Sequence, residues 1–211
     1  MPDGDPFREM WFHYNLGENR GFLSPKKNFG EDDPLNDFIR QLYNEGSDES
    51  VKMAKNLGAR QRFFSPVLVR GQEDQGVRLW GYGKTAYKEL LNLVLNPEYG
   101  DITDVDGGTD LVITYGKPAG AQFPQTSIVP RRKSSPLTES SDTTSGMMDS
   151  IPDFDEVFES ARKTPAEIQQ MLDQYLLTEE DAEEVSTETT KYESTEPSSS
   201  VDKAFEELLG S

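Results

Sequence analysis

Apolar positions change their period several times before residue 137 and then thin out. "REMWFHY" and "RGFLS" flank the turn "NLGENR", where Gly17 and Asn19 can take positive φ, and these runs predict a hairpin. Asp33 and Pro34 then supply an N-cap and an N1 proline. Leu35, Phe38, Ile39, Leu42 and Tyr43 recur at helical spacing, and Gly46 closes the helix. Residues 47–60 read as a polar, charged connection. "QRFFSPVLVRG" and "GVRLWGYG", joined through "QEDQ", predict a second antiparallel hairpin. "KTAYKELLNLVLN" sets Leu90, Leu91, Val94 and Leu95 on one helical face and must stop before Pro97, because the residue before proline is disfavoured in the helical region. In "GTDLVITYGK", Leu111, Ile113 and Tyr115 alternate with Val112 and Thr114 as in a strand.

Short antiparallel strands with a helix inserted between them predict an α+β, mainly β fold, with a reduced or partial OB-fold-like core over residues 1–137. Beyond it, residues 138–150 read as a Ser/Thr/Asp linker. Residues 151–177 read as short amphipathic helices with Ile168, Met171, Leu172, Tyr175 and Leu176 on one face. Residues 178–211 are too polar and acidic to bury a core and predict a largely disordered tail. The tail ends in "VDKAFEELLG", where Phe205, Leu208 and Leu209 form an acidic-hydrophobic element suited to a protein partner.

Charge follows the same division. Residues 1–137 hold 17 Lys and Arg against 19 Asp and Glu, while residues 138–211 hold 4 against 20, so net charges of −2 and −16 make up the −18 of the chain. Cysteine is absent, which excludes thiol chemistry, a disulfide framework and Cys-His catalysis, and His13, the one histidine, stands alone and gives no Ser-His arrangement to read. No HExxH or phosphate-loop motif is present, "GYGK" and "DGG" are unspecific glycine turns, and no cofactor is implied. An enzyme is not expected. The N-terminal residues lack a basic-then-apolar leader and no run reaches the length of a membrane span, so the expectation is a cytoplasmic protein without a membrane partner.

Binding chemistry is the stronger signal. Residues 60–88 interleave cations and rings: Arg60, Arg62, Phe63, Phe64, Arg70, Arg78, Trp80, Tyr82, Lys84, Tyr87 and Lys88. Single-stranded nucleic acid is held by rings that stack on bases and cations that track phosphates. Arg78, Trp80 and Tyr82 are spaced by two and share one face of a strand. Arg131, Arg132 and Lys133, in "PRRKSSP", read as a basic turn closing the far side of a groove. Against this stands the ordinary role of strand aromatics, which is to fill a core.

"QRFFSPVLVRGQEDQGVRLWGYGKTAYKELLNLV", with "GTDLVITY" and "FPQTSIVPRRKSSPL", resembles the core of T-even-type phage single-stranded DNA-binding (helix-destabilising) proteins. The resemblance covers roughly residues 7–137, and the acidic tail ending in "FEELLG" is similar in character to that family's protein-interaction tail. It implies binding of single-stranded DNA with little sequence preference during phage replication, recombination and repair, in the host cytoplasm. It also implies recruitment of replication and recombination proteins by the tail. In that reading Phe63, Phe64, Trp80 and Tyr82 stack on bases, and Arg60, Arg62, Arg78, Lys84, Arg131 and Arg132 meet phosphates. The family holds zinc with one His and three Cys. His13, Ser24, Asp33 and Asn36 fall at those positions, and without thiolates the closed four-coordinate site cannot form. Residues 13–46 therefore read as a subdomain that has lost its metal. The family also opens with a basic cooperativity arm and first barrel strands, and this chain starts after them. The rival reading is an acidic interaction or scaffold protein whose aromatics are all internal.

Overall fold

The computed structural model describes residues 6–17 and 21–192. The first hairpin forms as expected: β1 (Arg8–His13) pairs antiparallel with β2 (Phe22–Leu23), and Asn15, Gly17 and Gly21 take positive φ around the turn. Asn19 lies outside the described residues. A short helix, α1 (Pro25–Phe29), follows with Ser24 as its N-cap, and then α2 (Pro34–Glu45) starts on the Asp33 cap and ends at Gly46 with φ 76°. Leu35, Ile39 and Leu42 are its buried face, whereas Tyr43 lies largely in solvent.

The stretch 47–60 is not a connection. It folds as α3 (Asp48–Leu57), capped by Ser47 and burying Ser50, Ala54 and Leu57. β3 (Arg60–Val67) and β4 (Arg78–Tyr82) then make the second hairpin, with a 3-10 turn at Glu73–Gln75. α4 (Lys84–Val94) buries Ala86 and Leu90, and Leu95 falls outside its apolar face at 69% exposure. β5 (Thr109–Gly116) pairs antiparallel with β6 (Gln125–Ser134), a strand that the sequence pattern does not announce. α5 (Ser141–Asp149), α6 (Phe154–Phe158) and α7 (Pro165–Tyr192) complete the order, so the stretch 138–150 expected as linker and the first part of the expected tail are helical in backbone.

The architecture is α+β with antiparallel sheets, as expected, but helix outweighs strand, so the "mainly β" part of the expectation does not hold. The strands lie in two sheets, one ordered β2-β1-β3-β4 and the other a β5-β6 ribbon. The four-stranded sheet is covered on both faces because its residues alternate. Phe63 and Tyr82 turn toward Ala86 and Leu90 of α4 and Ile128 of β6. Met10 and Phe12 turn the other way, with Leu23, toward Phe154. A third cluster joins Leu16, Phe22, Leu35, Ile39, Leu42, Ala54 and Leu57 to Ile168 and Leu172 of α7. Packing therefore runs past residue 137, and the amphipathic face foreseen at 168–176 is a wall of the N-terminal core.

Candidate nucleic-acid interface

Register decides which hairpin side chains can meet a ligand. Phe63 pairs with Tyr82, Ser65 with Trp80 and Val67 with Arg78, so Arg78, Trp80 and Tyr82 do share one face. That face is the covered one. Phe63 and Tyr82 retain 3% and 5% of their surface, and Tyr87 stacks on Phe63 at 3.9 Å between ring centroids. Ser65 Oγ donates to the Pro6 carbonyl at 2.7 Å and lies 2.7 Å from the Tyr82 hydroxyl, which is thus satisfied inside the protein. Phe64 points through the opposite face onto Phe158, at 4.6 Å. The four expected stacking rings are therefore not a platform: Phe63 and Tyr82 are core, Phe64 is packed under α6, and half-buried Trp80 lies 4.4 Å from Tyr82.

The expected cations are likewise dispersed. Arg60 and Lys84 are exposed, and half-buried Arg62 lies over the Tyr14 ring at 5.9 Å. Arg78 donates to the side-chain carbonyls of Gln72 and Gln75. Arg70 is a structural tie: it pairs with Asp110 at 2.9 Å and donates to the carbonyls of Pro136 and Leu137, fixing the β3-β4 loop to the base of the ribbon. Arg131, Arg132 and Lys133 are exposed, but on a strand rather than a turn. Thr109 pairs with Ser134 and Leu111 with Pro130, so these three cations stand opposite Asp110 alone, in a bulge. Such extra residues leave the ladder and bend the strand outward.

The ribbon carries what the hairpin lacks. Tyr115 at the end of β5 and Phe123 in the following loop are 73% and 67% exposed, the two most open aromatic side chains among the described residues. Between residues 109 and 134 there are four cations, Lys117, Arg131, Arg132 and Lys133, against Asp110, which Arg70 already neutralises. The ribbon is net +3 in a chain of net −18. The sequence pattern gives Tyr115 only as a strand position and assigns no role to Lys117 or Phe123. The available signal was an aromatic at each end of the Gly- and Pro-rich stretch "GKPAGAQFP", a composition that reads only as a loop.

The four positions that match the resembled family's zinc ligands are partly united, by hydrogen bonds. His13 and Asp33 are 1% and 3% exposed, and Ser24 is fully buried. Ser24 Oγ donates to Asp33 Oδ2 at 2.7 Å, and His13 Nε2 lies 3.3 Å from the same oxygen. The Asn36 amide donates to Asp33 Oδ1 at 3.1 Å, so Asn36 takes part through its backbone. His13 Nδ1 is 3.0 Å from the Leu57 carbonyl, which can only accept, so that nitrogen carries a proton. Burial pushes the Asp33 carboxyl up, but hydrogen bonds from His13, Ser24 and the Asn36 amide outweigh it and hold the group below its ordinary value. Among the described residues no group of three His, Cys, Asp or Glu side chains is placed to hold a metal ion. Phe205, Leu208 and Leu209 lie outside the described residues. Neither a protein-family model nor a curated protein matches the chain. No described helix is long and apolar enough to cross a membrane.

Proposed function

We propose that this chain is a non-enzymatic binder of single-stranded DNA with little sequence preference. Its contact surface is the β5-β6 ribbon rather than the β3-β4 hairpin. The observation that carries this reading is that one ribbon holds two open rings at its tip and three exposed cations at its base. Stacking on any base and neutralising phosphates require that combination and no hydrogen-bonded readout. The resemblance to phage helix-destabilising proteins supports the same reading. It extends the proposal to an OB-type ancestry for the strands and to service in phage replication, recombination and repair in the host cytoplasm, with replication and recombination proteins recruited by the acidic tail.

Burial of Phe63 and Tyr82 and the packing of Phe64 on Phe158 are what the rival, an acidic protein-docking scaffold, expects of the hairpin. Tyr115 and Phe123 separate the two readings. Titration of labelled oligo-dT by fluorescence anisotropy should show binding that weakens steeply with salt. Tyr115→Ala with Phe123→Ala should weaken it by about ten- to a hundredfold at unchanged melting temperature, since each stacked base contributes about 1 to 3 kcal/mol. Absence of binding by the intact chain at low salt would refute the proposal in favour of the scaffold.

A further inference from the structure

A cavity of about 400 Å³ opens between the ribbon, α4 and the β3-β4 hairpin, with Trp80, Leu90, Leu111 and Ile113 in its walls. α5 lies along it, with Met147 and Met148 among the lining side chains. Volumes of this size suit small organic groups, and the lining is mostly apolar. Strand alternation makes the cavity continuous with the proposed contact surface. Leu111, Ile113 and Tyr115 share one face of β5, so the ring that stands open in solvent is two residues, about 7 Å, beyond the cavity wall.

α5 is built to leave. Its N-cap Ser140 makes no side-chain capping bond, and none of its residues is buried. Gly146 interrupts it without need, since a Cβ there would meet nothing within 4 Å. Its side-chain hydrogen bonds stay local, Thr144 with Thr138 at 2.7 Å and Ser150 with Met147 at 2.8 Å. Short helices of Ser, Thr, Asp and Gly do not hold by themselves in water. What keeps this one in place is two flexible thioether side chains against an apolar wall, and Met148 is still 45% exposed.

We propose that α5 is a displaceable lid on the Trp80 cavity and that, once it is lifted, the cavity accepts a base of the single strand whose neighbour stacks on Tyr115. This rests on the single-stranded DNA reading above. Met147 and Met148 and the incoming base compete for one apolar surface, so the lid lowers affinity by a constant factor. The competition involves no net charge and does not fade with salt, unlike competition from an acidic tail.

The test uses the full chain carrying Trp11→Phe, which leaves Trp80 as its one tryptophan. Acrylamide quenching of Trp80 without nucleic acid should rise at least twofold when Met147→Ser and Met148→Ser are combined. Unchanged quenching overturns the lid whether or not DNA is bound. Oligo-dT affinity should tighten about threefold or more in that variant, by the same factor at low and high salt. Gly146→Ala, which strengthens the closed helix, should weaken it two- to fivefold. If the parent binds oligo-dT and both variants bind it equally, the cavity takes no base and the proposal fails while the single-strand reading survives. If the parent binds none, that reading fails with the proposed occupant, and the quenching result alone decides whether α5 is a lid.

Discussion

Asp33 joins three elements. Its carboxylate caps α2 through the Asn36 amide, accepts from Ser24 at the start of α1, and meets His13 at the end of β1, whose other ring nitrogen faces the last carbonyl of α3. A carboxylate with two buried polar partners is costly to remove, because the partners lose their acceptor and cannot reach water. Asp33→Ala should therefore lower unfolding free energy by about 3 kcal/mol in urea titrations. Asp33→Asn should cost less, since an amide oxygen still caps the helix. The sign of the pH dependence follows from the lowered carboxyl: its contribution is present above the unfolded value near 3.8 and is lost as pH falls through the lower folded value. The gap in stability between the native chain and Asp33→Asn should narrow on the acid side of 3.8. A gap that stays unchanged or widens there would contradict an ionised Asp33.

At the scale of elements, the sequence was legible wherever punctuation and periodicity agreed. Asp33-Pro34 and Gly46 bracket α2, and the aromatic hairpin pairs as its alternation predicts. α3 was illegible because its buried side is thin: Ser50, Ala54 and Leu57 carry little apolar weight among Lys, Asp and Glu, although Ser47 and two acids in the first turn mark its start. β6 was hidden by Pro130 and the Arg-Arg-Lys run. Proline lacks an N–H for a ladder, and only a strand with a free edge, as in a two-stranded ribbon, tolerates it. The burial of the hairpin rings escapes the pattern for a related reason: alternation shows which residues share a face, but not whether α4 covers that face. The ribbon in turn depends on the turn 101–108, where the Gly108 amide donates to the Asp104 carbonyl and the Gly108 carbonyl accepts from Ser135. A Cβ on Gly108 would collide with the main-chain oxygens of Asp104 and Ile102. Gly108→Ala should cost about 1 to 3 kcal/mol in thermal melts, as overpacking does. It should weaken oligo-dT binding as well, by disordering the ribbon base. Native stability in that variant would mean that the turn can move without loss.

For the whole molecule, the C-terminal third is two things that composition merges. Phe154 and Phe158 cover one face of the large sheet. Arg162 holds Glu31 at 2.6 Å and lies 4.3 Å from the Phe29 ring, and Ile168 and Leu172 are 0% and 4% exposed in the N-terminal core. Cutting the chain after Leu137 would strip both cores and report on unfolding rather than on the tail. Residues 179–211 differ: they hold 11 Asp and Glu against 2 Lys, half of the chain's net −18. A tethered acidic segment reaches the basic ribbon only within about 8 Å at physiological salt, but the tether keeps its local concentration high. Ending the chain after Thr178 should leave the urea midpoint unchanged, because the described apolar contacts of α7 end before that point. It should tighten oligo-dT binding several-fold in low salt, with the gain vanishing near 0.5 M as screening removes the competitor. A gain that persists at high salt would show that the tail does not compete through its charge. No gain at any salt would leave the tail without a competing role.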